Sequence, residues 1–405
     1  MKIKFYTLGC KVNQYDTQGI RERFLRHGFK ESKNGQKADF CLINTCTVTS
    51  SADSKCREVI RRCVRENPEA KIIVTGCLVK RDANMIAAIK GVGFIVSKSF
   101  FREGITGFSG HTRAFLKIQD GCDNFCSYCK VPLVRGRSTS KPLKEILKEA
   151  RALVGNGFKE IVLTGICLGA YGRDLKDKTG LAGVISALEK VKGIGRIRLS
   201  SIEAGDLTNE LINRISKSKK VCPHLHIPIQ SGDDRILKMM NRRYTSKQYL
   251  SLIRKTKSLI PKIAITTDVL VGFPTEEENN FQNTVGLVRK IRPLKVHIFP
   301  YSSREGTRAA SFNPGLNPRV IAARITLLKK VEAECAMKYK KGFLNKNLKV
   351  LIEGRHRDNP AYWEGHSENY MEVLVKSGDN LKNQLVNCKP TRISGGRLIA
   401  GAYHI

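Results

Sequence analysis

Asp120-Gly121-Cys122-Asp123-Asn124-Phe125-Cys126-Ser127-Tyr128-Cys129 carries three cysteines in C-x3-C-x2-C spacing. An apolar run over 114–119 precedes it and reads as a strand, so the thiols stand just past a strand's C-terminal end. Three thiolates this close together can bind three corners of a cubane iron–sulfur cluster and leave the fourth iron open to a chelating small molecule. Cys126 and Cys129 also match half of a zinc site, but no second Cys or His pair follows at zinc-finger spacing.

Downstream, candidate strands at 160–166, 196–201, 224–230, 265–272 and 295–300 alternate with helical stretches such as 142–154 and 246–260. With 114–119 they make six β/α units, a barrel-like or open parallel sheet shorter than the roughly 250 residues of an eight-unit barrel. Upstream, short apolar strands over 2–8, 40–43 and 71–74 each lead to a cysteine: Cys10, Cys46 and Cys77. Ligands of parallel sheets collect at the carboxyl ends of strands, so these three can converge although they are far apart in sequence. A helix is expected around 14–28 and another over 52–66. Near the C-terminus, 348–353, 371–375 and 398–403 read as strands with little helix between them, a small all-β module. The expected fold class is α/β, with a parallel-sheet domain over 1–112, a (β/α)6 partial barrel over 113–342 and the β-module over 343–405.

The chain has 405 residues with 72 Lys and Arg against 36 Asp and Glu, a formal net charge of +36. That surplus divides as +10, +23 and +3 over the three segments. There is no basic tail, and a broad positive surface of this kind favours a polyanion such as nucleic acid. The 13 cysteines are too sparse for a disulfide scaffold. With no apolar leader at the start and no run long enough for a membrane helix, the reading is a cytoplasmic, reduced protein with no membrane partner.

The triplet, with aromatic Tyr128 just before its last cysteine, resembles the radical S-adenosylmethionine signature, and the six β/α units resemble that superfamily's partial barrel. The resemblance implies a 4Fe-4S cluster on Cys122, Cys126 and Cys129 whose open iron binds S-adenosylmethionine. Thr7-Leu8-Gly9-Cys10-Lys11-Val12-Asn13-Gln14, Ile43-Asn44-Thr45-Cys46-Thr47-Val48 and Val74-Thr75-Gly76-Cys77 resemble the three cysteine motifs of the methylthiotransferases. This implies a second 4Fe-4S cluster on Cys10, Cys46 and Cys77, and a TRAM-like RNA-binding barrel at the C-terminus. The first motif looks most like the branch that adds a methylthio group to carbon 2 of N6-threonylcarbamoyladenosine beside the tRNA anticodon. The implied partners are a tRNA anticodon stem-loop, a low-potential electron donor and a sulfur source. Sister branches act on isopentenyladenosine in tRNA or on a ribosomal protein. A non-catalytic iron–sulfur RNA-binding or electron-transfer protein is the reading of another class, and the open iron of the triplet argues against it.

Further cofactor-contact candidates carried by the resemblance are Thr164, Gly165, Ser200, Glu203, Arg243 and Gly272, each with a plain scaffold alternative. Cys167 stands where the family often has His, and Lys130, Leu133, Arg304 and Glu305 also depart from its pattern. Cys41, Cys56, Cys63, Cys222, Cys335 and Cys388 read as packing residues. His224 and His226, two apart on a strand, read as barrel lining.

Overall fold

Phe40–Thr45 lies in the middle of a five-stranded parallel sheet and is buried along nearly its whole length, as a parallel strand covered on both faces must be. The computed structural model describes residues 1–33, 35–97, 104–312 and 315–403. The first sheet contains β1 (Lys2–Thr7), β2 (Lys30–Glu31), β3 (Phe40–Thr45), β4 (Lys71–Gly76) and β5 (Val92–Ile95), in the order β2-β1-β3-β4-β5. Its helices are α1 (Lys11–Arg26), α2 (Ser50–Glu66), α3 (Cys77–Arg81) and α4 (Ala83–Ala87). Helix α1 starts earlier than the apolar pattern suggested, because Cys10 is already its extended N-cap.

Six parallel strands follow: β6 (Arg113–Lys117), β9 (Glu160–Thr164), β10 (Arg196–Leu199), β11 (His224–His226), β12 (Ala264–Val271) and β13 (Lys295–Pro300). A two-residue ladder, β7 (Gln119–Asp120) with β8 (Thr139–Ser140), interrupts the first crossover. The strands form two sheets, β6-β9-β10 and β11-β12-β13, joined by parallel bridges Ile197–Val221 and Ser201–His226. The result is one arc in sequence order.

Between the strands run α5 (Val131–Arg135), α6 (Leu143–Gly155), α7 (Leu181–Glu189), α8 (Asn209–Lys217), α9 (Asp234–Met239), α10 (Ser246–Leu259) and α11 (Glu278–Ile291); α12 (Pro318–Lys341) follows β13. Their apolar faces and the strands share the largest core, from Ile105 and Phe115 to Val331 and Cys335. Helix α10 opens with a reciprocal cap between Thr245 and Gln248, which satisfies two otherwise orphaned amides.

The last five strands are β14 (Leu348–Arg355), β15 (Tyr362–Ser367), β16 (Glu372–Lys376), β17 (Leu385–Ser394) and β18 (Arg397–Tyr403). Each pairs with two neighbours, so the ring closes on itself around Val350, Trp363, Val373, Cys388 and Leu398. β15 and β17 were not anticipated; their alternating polar residues, as in Tyr362–Ser367, hide the apolar rhythm. Arg196 and Arg198 of β10 donate to the carbonyls of His366 and Glu368, at 2.9 Å each, tying the arc to the ring. Among the described residues no helix is long and apolar enough to cross a membrane.

Candidate active site

Strand register brings the dispersed cysteines together. Thr7 pairs with Asn44, and Thr45 with Gly76, so Cys10, Cys46 and Cys77 leave three adjacent strands at the same edge. Two glycines make the approach possible. A Cβ on Gly9 would lie 2.8 Å from the Cys46 sulfur, and one on Gly76 would lie 2.4 Å from the Thr45 carbonyl oxygen. Both have φ above +100°, where side chains are strained. Cys46 is steadied from beneath: its backbone N–H donates to the Cys56 sulfur at 3.3 Å, and the Cys56 thiol donates back to its carbonyl. Cys56 thus does more than the packing expected of it.

Asn13, in the first turn of α1, braces the same edge. Its amide donates to the carbonyls of Leu8 and Thr45 at 2.7 and 2.9 Å. Its carbonyl oxygen accepts from Arg135 Nη2 at 2.5 Å and lies 3.9 Å from the Cys77 sulfur. Arg135 in turn holds Asp120 with two bonds of 2.7 and 2.9 Å and meets Asp16 at 3.2 Å. Burial works against the Arg135 charge, but Asp120 and Asp16, then the Cys77 and Cys10 thiols, hold its pKa above the ordinary arginine value.

One cavity, of about 100 Å³, is lined by Cys10, Cys46 and Cys77 together with Tyr128, Cys129 and Arg135, so the dispersed cysteines share it with one thiol of the triplet. The triplet loop is set by Gly121, at φ +71, where a Cβ would lie 1.9 Å from the Arg137 carbonyl. Amides of Asn124 and Val131 point at the Cys122 and Cys129 sulfurs at 3.5 Å. Arg242 Nη1 donates to the Cys126 sulfur at 3.3 Å. Contact with the Cys167 thiol outweighs burial and takes Cys122 down to about 7, whereas burial pushes Cys129 up to about 12.

The remaining candidates divide. Tyr128 lines the cavity and meets Phe273 edge-on at 6.4 Å. Ser200 is buried, and its hydroxyl oxygen has no partner among the described residues. The Glu203 carboxylate holds Arg242 at 2.6 Å; burial raises its pKa and Arg242 opposes that. Thr164 turns its hydroxyl back to Val162 of its own strand at 3.1 Å. The close approach at Gly165 is to Gln119, whose Oε1 a Cβ would meet at 2.8 Å. Gln119 Nε2 then donates to the carbonyls of Asp120 and Gly121, so Gly165 serves the triplet loop. Gly272 packs against Ile321 of α12 and donates its amide to Glu276 at 2.8 Å.

Arg243 is exposed, and it is its neighbour Arg242 that contacts Cys126 and Glu203. The left-handed Asn241, at φ 59, breaks the rhythm by which one of two adjacent arginines would be chosen. Cys167 also belongs at the site, with its thiol 3.2 Å from Asp206 Oδ2 and near the Asn124 amide at 3.4 Å. Arg304, one of the departures from the family pattern, donates to the Thr47 carbonyl and pairs with Asp53 at 2.5 Å. It clasps the loop after β13 to the segment that follows Cys46.

The donor chemistry fits two cubane clusters. Among the described residues each set offers three thiols and no fourth protein ligand of the same loop or edge, with backbone and guanidinium N–H groups around the triplet sulfurs. The buried Ser200 hydroxyl, without a partner among the described residues, fits contact with a polar ligand.

Residues 2–97 match the family model described as uncharacterized protein family UPF0004, and residues 116–288 match the radical SAM superfamily. The threonylcarbamoyladenosine tRNA methylthiotransferase MtaB of Bacillus subtilis is 38% identical over 96% of this chain and 93% of its own length. The enzyme of that name from Chlamydia pneumoniae is also 38% identical, over 98% and 97%. The tRNA-2-methylthio-N(6)-dimethylallyladenosine synthase of Carboxydothermus hydrogenoformans is 33% identical over 95% of each chain. Among solved structures, the radical S-adenosylmethionine methyltransferase TsrM of Kitasatospora setae shares the fold, with a TM-score of 0.56 at 11% identity over 76% of both chains. From its two cysteine sets, its parallel arc and these full-length likenesses, the chain belongs to the radical S-adenosylmethionine methylthiotransferase family.

Proposed function

We propose that this enzyme places a methylthio group on carbon 2 of N6-threonylcarbamoyladenosine beside the anticodon of tRNA. The observation that carries the reading is a cavity lined by Cys10, Cys46 and Cys77 together with Tyr128 and Cys129. A base presented there faces the three dispersed cysteines beside Tyr128 and Cys129 of the triplet loop. The likeness to the MtaB enzymes favours the threonylcarbamoyl substituent over the dimethylallyl one.

A radical SAM core uses a 4Fe-4S cluster and S-adenosylmethionine; Cys122, Cys126 and Cys129 are the residues to hold that cluster, and Cys10, Cys46 and Cys77 a second. When bound, these groups supply one-electron cleavage of the sulfonium, a carbon radical able to take the unactivated hydrogen from carbon 2, and sulfur for the new bond. The chain's own residues do the rest. Arg242 balances charge at Cys126 and holds Glu203 beside it. Ser200 and Glu203 offer polar contacts to the cofactor's sugar. Asn13 and Arg135 keep the two cysteine sets in register, and Tyr128 with Phe273 closes an apolar wall that excludes water.

The proposed division is a methylthiotransferase domain over 1–112, a radical SAM domain over 113–342 and a TRAM-like RNA-binding barrel over 343–405. The +36 charge supports docking of an anticodon stem-loop, whose unpaired bases can be splayed into a pocket. A low-potential electron donor and a sulfur source complete the partners. Thirteen cysteines without a disulfide suit a reducing cytoplasm.

Deleting the gene and measuring tRNA nucleosides by mass spectrometry tests the reading. The 2-methylthio derivative of threonylcarbamoyladenosine should vanish and its unthiolated parent accumulate. Loss of the isopentenyl derivative instead would move the enzyme to the sister branch.

A further inference from the structure

Lys11 follows Cys10 directly, so its backbone is fixed at the cavity between the cysteine sets. Its side chain runs into the barrel arc, where the ammonium lies 6.0 Å from the centre of the Phe115 ring. Tyr370, Arg113, Arg198 and Glu160 are its electrostatic neighbours. This is a crowded, cation-rich place, and the acids in it are already matched.

Glu160 binds both Arg196 and Arg198, the latter at 2.7 Å. Glu353 holds Arg113 at 3.2 Å and His366 at 2.7 Å. Asp268 meets His226 at 3.2 Å. The Tyr370 ring is taken up as well: Arg198 and Arg113 lie over it at 4.7 and 5.3 Å, and the His224 and His366 rings stand against it at 4.8 and 4.9 Å. Among the described residues no carboxylate pairs with Lys11 and no acceptor takes a hydrogen bond from it.

A partly buried ammonium with other cations beside it and no counter-ion is costly unless something negative arrives. The threonylcarbamoyl substituent ends in a carboxylate, and the dimethylallyl substituent has no charge. Both hang from the exocyclic nitrogen of adenine, on the edge that also carries carbon 2 next to the shared ring nitrogen. A base that presents carbon 2 to the cysteine cavity therefore sends its substituent toward neighbouring side chains.

We propose that the Lys11 ammonium receives the carboxylate of the substrate's N6 substituent inside the barrel arc, and so selects the charged adenosine over the neutral one. This rests on the functional reading above. The carboxylate would lie over Phe115, where water is scarce and a charge-assisted bond counts for more than at the surface.

The test uses the holoenzyme and two synthetic anticodon stem-loops, one with N6-threonylcarbamoyladenosine and one with its carboxylate converted to the carboxamide. Binding is measured anaerobically by fluorescence anisotropy, and product by mass spectrometry. The wild type should bind the carboxylate roughly 10- to 100-fold more tightly than the carboxamide, the range of a charge-assisted hydrogen bond. In Lys11→Met that ratio should fall to about 1, and Lys11→Arg should restore much of it. A ratio is unaffected by a general loss of folded protein, which would weaken both ligands alike. A Lys11→Met ratio as large as the wild type's, or a loss confined to S-adenosylmethionine binding, overturns the assignment. Wild-type turnover of the carboxylate stem-loop alongside such an unchanged ratio leaves the function standing and removes only Lys11. A wild type that methylthiolates neither stem-loop removes both.

Discussion

Arg242 Nη1 lies 3.3 Å from the Cys126 sulfur. The same guanidinium also donates to Glu203 at 2.7 Å and to the Tyr244 hydroxyl at 3.0 Å. One side chain thus links the middle thiol of the triplet to a partly buried carboxylate. Arg242→Met should leave Glu203 without its partner and remove a donor from the sulfur. Changing a hydrogen-bond partner of a metal ligand typically costs 10- to 100-fold in activity or metal affinity. Reductive cleavage of S-adenosylmethionine, read as 5′-deoxyadenosine formed, should fall by roughly that factor. Arg242→Lys should recover part of it, since a point charge cannot serve three acceptors in fork geometry. An unchanged rate in Arg242→Met would remove this residue from the site.

Gly76 shows how backbone shape sets the dispersed cysteines. Its φ is +108°, and a Cβ would lie 2.4 and 2.5 Å from the Thr45 backbone and 2.6 Å from Asn44 Oδ1. Gly76→Ala must therefore push β4 from β3 or flip the peptide before Cys77. Strain of this kind costs about 1–3 kcal/mol before the clash is counted. Reconstituted protein should drop from about eight irons per chain to about four, if each site holds a 4Fe-4S cluster, with the S-adenosylmethionine cleavage of the triplet retained. Eight irons in Gly76→Ala would show that Cys77 tolerates the shift.

Cys167 touches Cys122 and lies 3.2 Å from Asp206, which invites its assignment as a fourth ligand. The Cys122 contact and burial hold the Cys167 thiol well above its ordinary pKa, as expected of a protonated thiol that donates to Asp206 beside Cys122. Cys167→Ala should keep its full iron content, and Cys122→Ala should lose about four irons per chain. Equal losses in the two variants would make Cys167 a ligand.

The two cysteine sets were legible because each follows an apolar strand, and strand ends are where a parallel sheet gathers its ligands. Within the arc, Glu160–Thr164 was legible because a buried parallel strand reads as an apolar run, whereas Arg196–Leu199 and His224–His226 carry charged or polar residues at alternate positions. The scaffold of the site was less visible. Arg242, Asn13 and Arg135 act through polar contacts between segments far apart in sequence, for which no periodic pattern exists. Arg135 meets Asp16 across 119 residues. Strands such as Tyr362–Ser367 escaped because one face of the small ring is solvated, so polar residues alternate with buried ones. Gly165 was legible as a site of close approach, yet what approaches it is Gln119 rather than a ligand.

The last prediction concerns Glu160, which is fully buried between Arg196 and Arg198. Burial alone would raise its pKa, but the charges of Arg198 and then Arg196 outweigh it and bring the carboxyl from 4.5 down to about 2. A depressed folded pKa means the unfolded chain binds the proton first as pH falls. The stabilisation is therefore fully present above about 4.5 and is lost between there and about 2. The difference is on the order of 3 kcal/mol. Because Arg196 and Arg198 also reach the carbonyls of His366 and Glu368, protonation should loosen the ring of β14–β18 from the arc as well as lower global stability. Urea midpoints measured from pH 7 down to pH 2.5 should fall more steeply for the wild type than for Glu160→Gln. At pH 7 the variant should be less stable by roughly 3–5 kcal/mol, the cost of leaving two buried guanidiniums without their carboxylate. Parallel pH profiles for the two proteins would show that Glu160 does not carry this dependence.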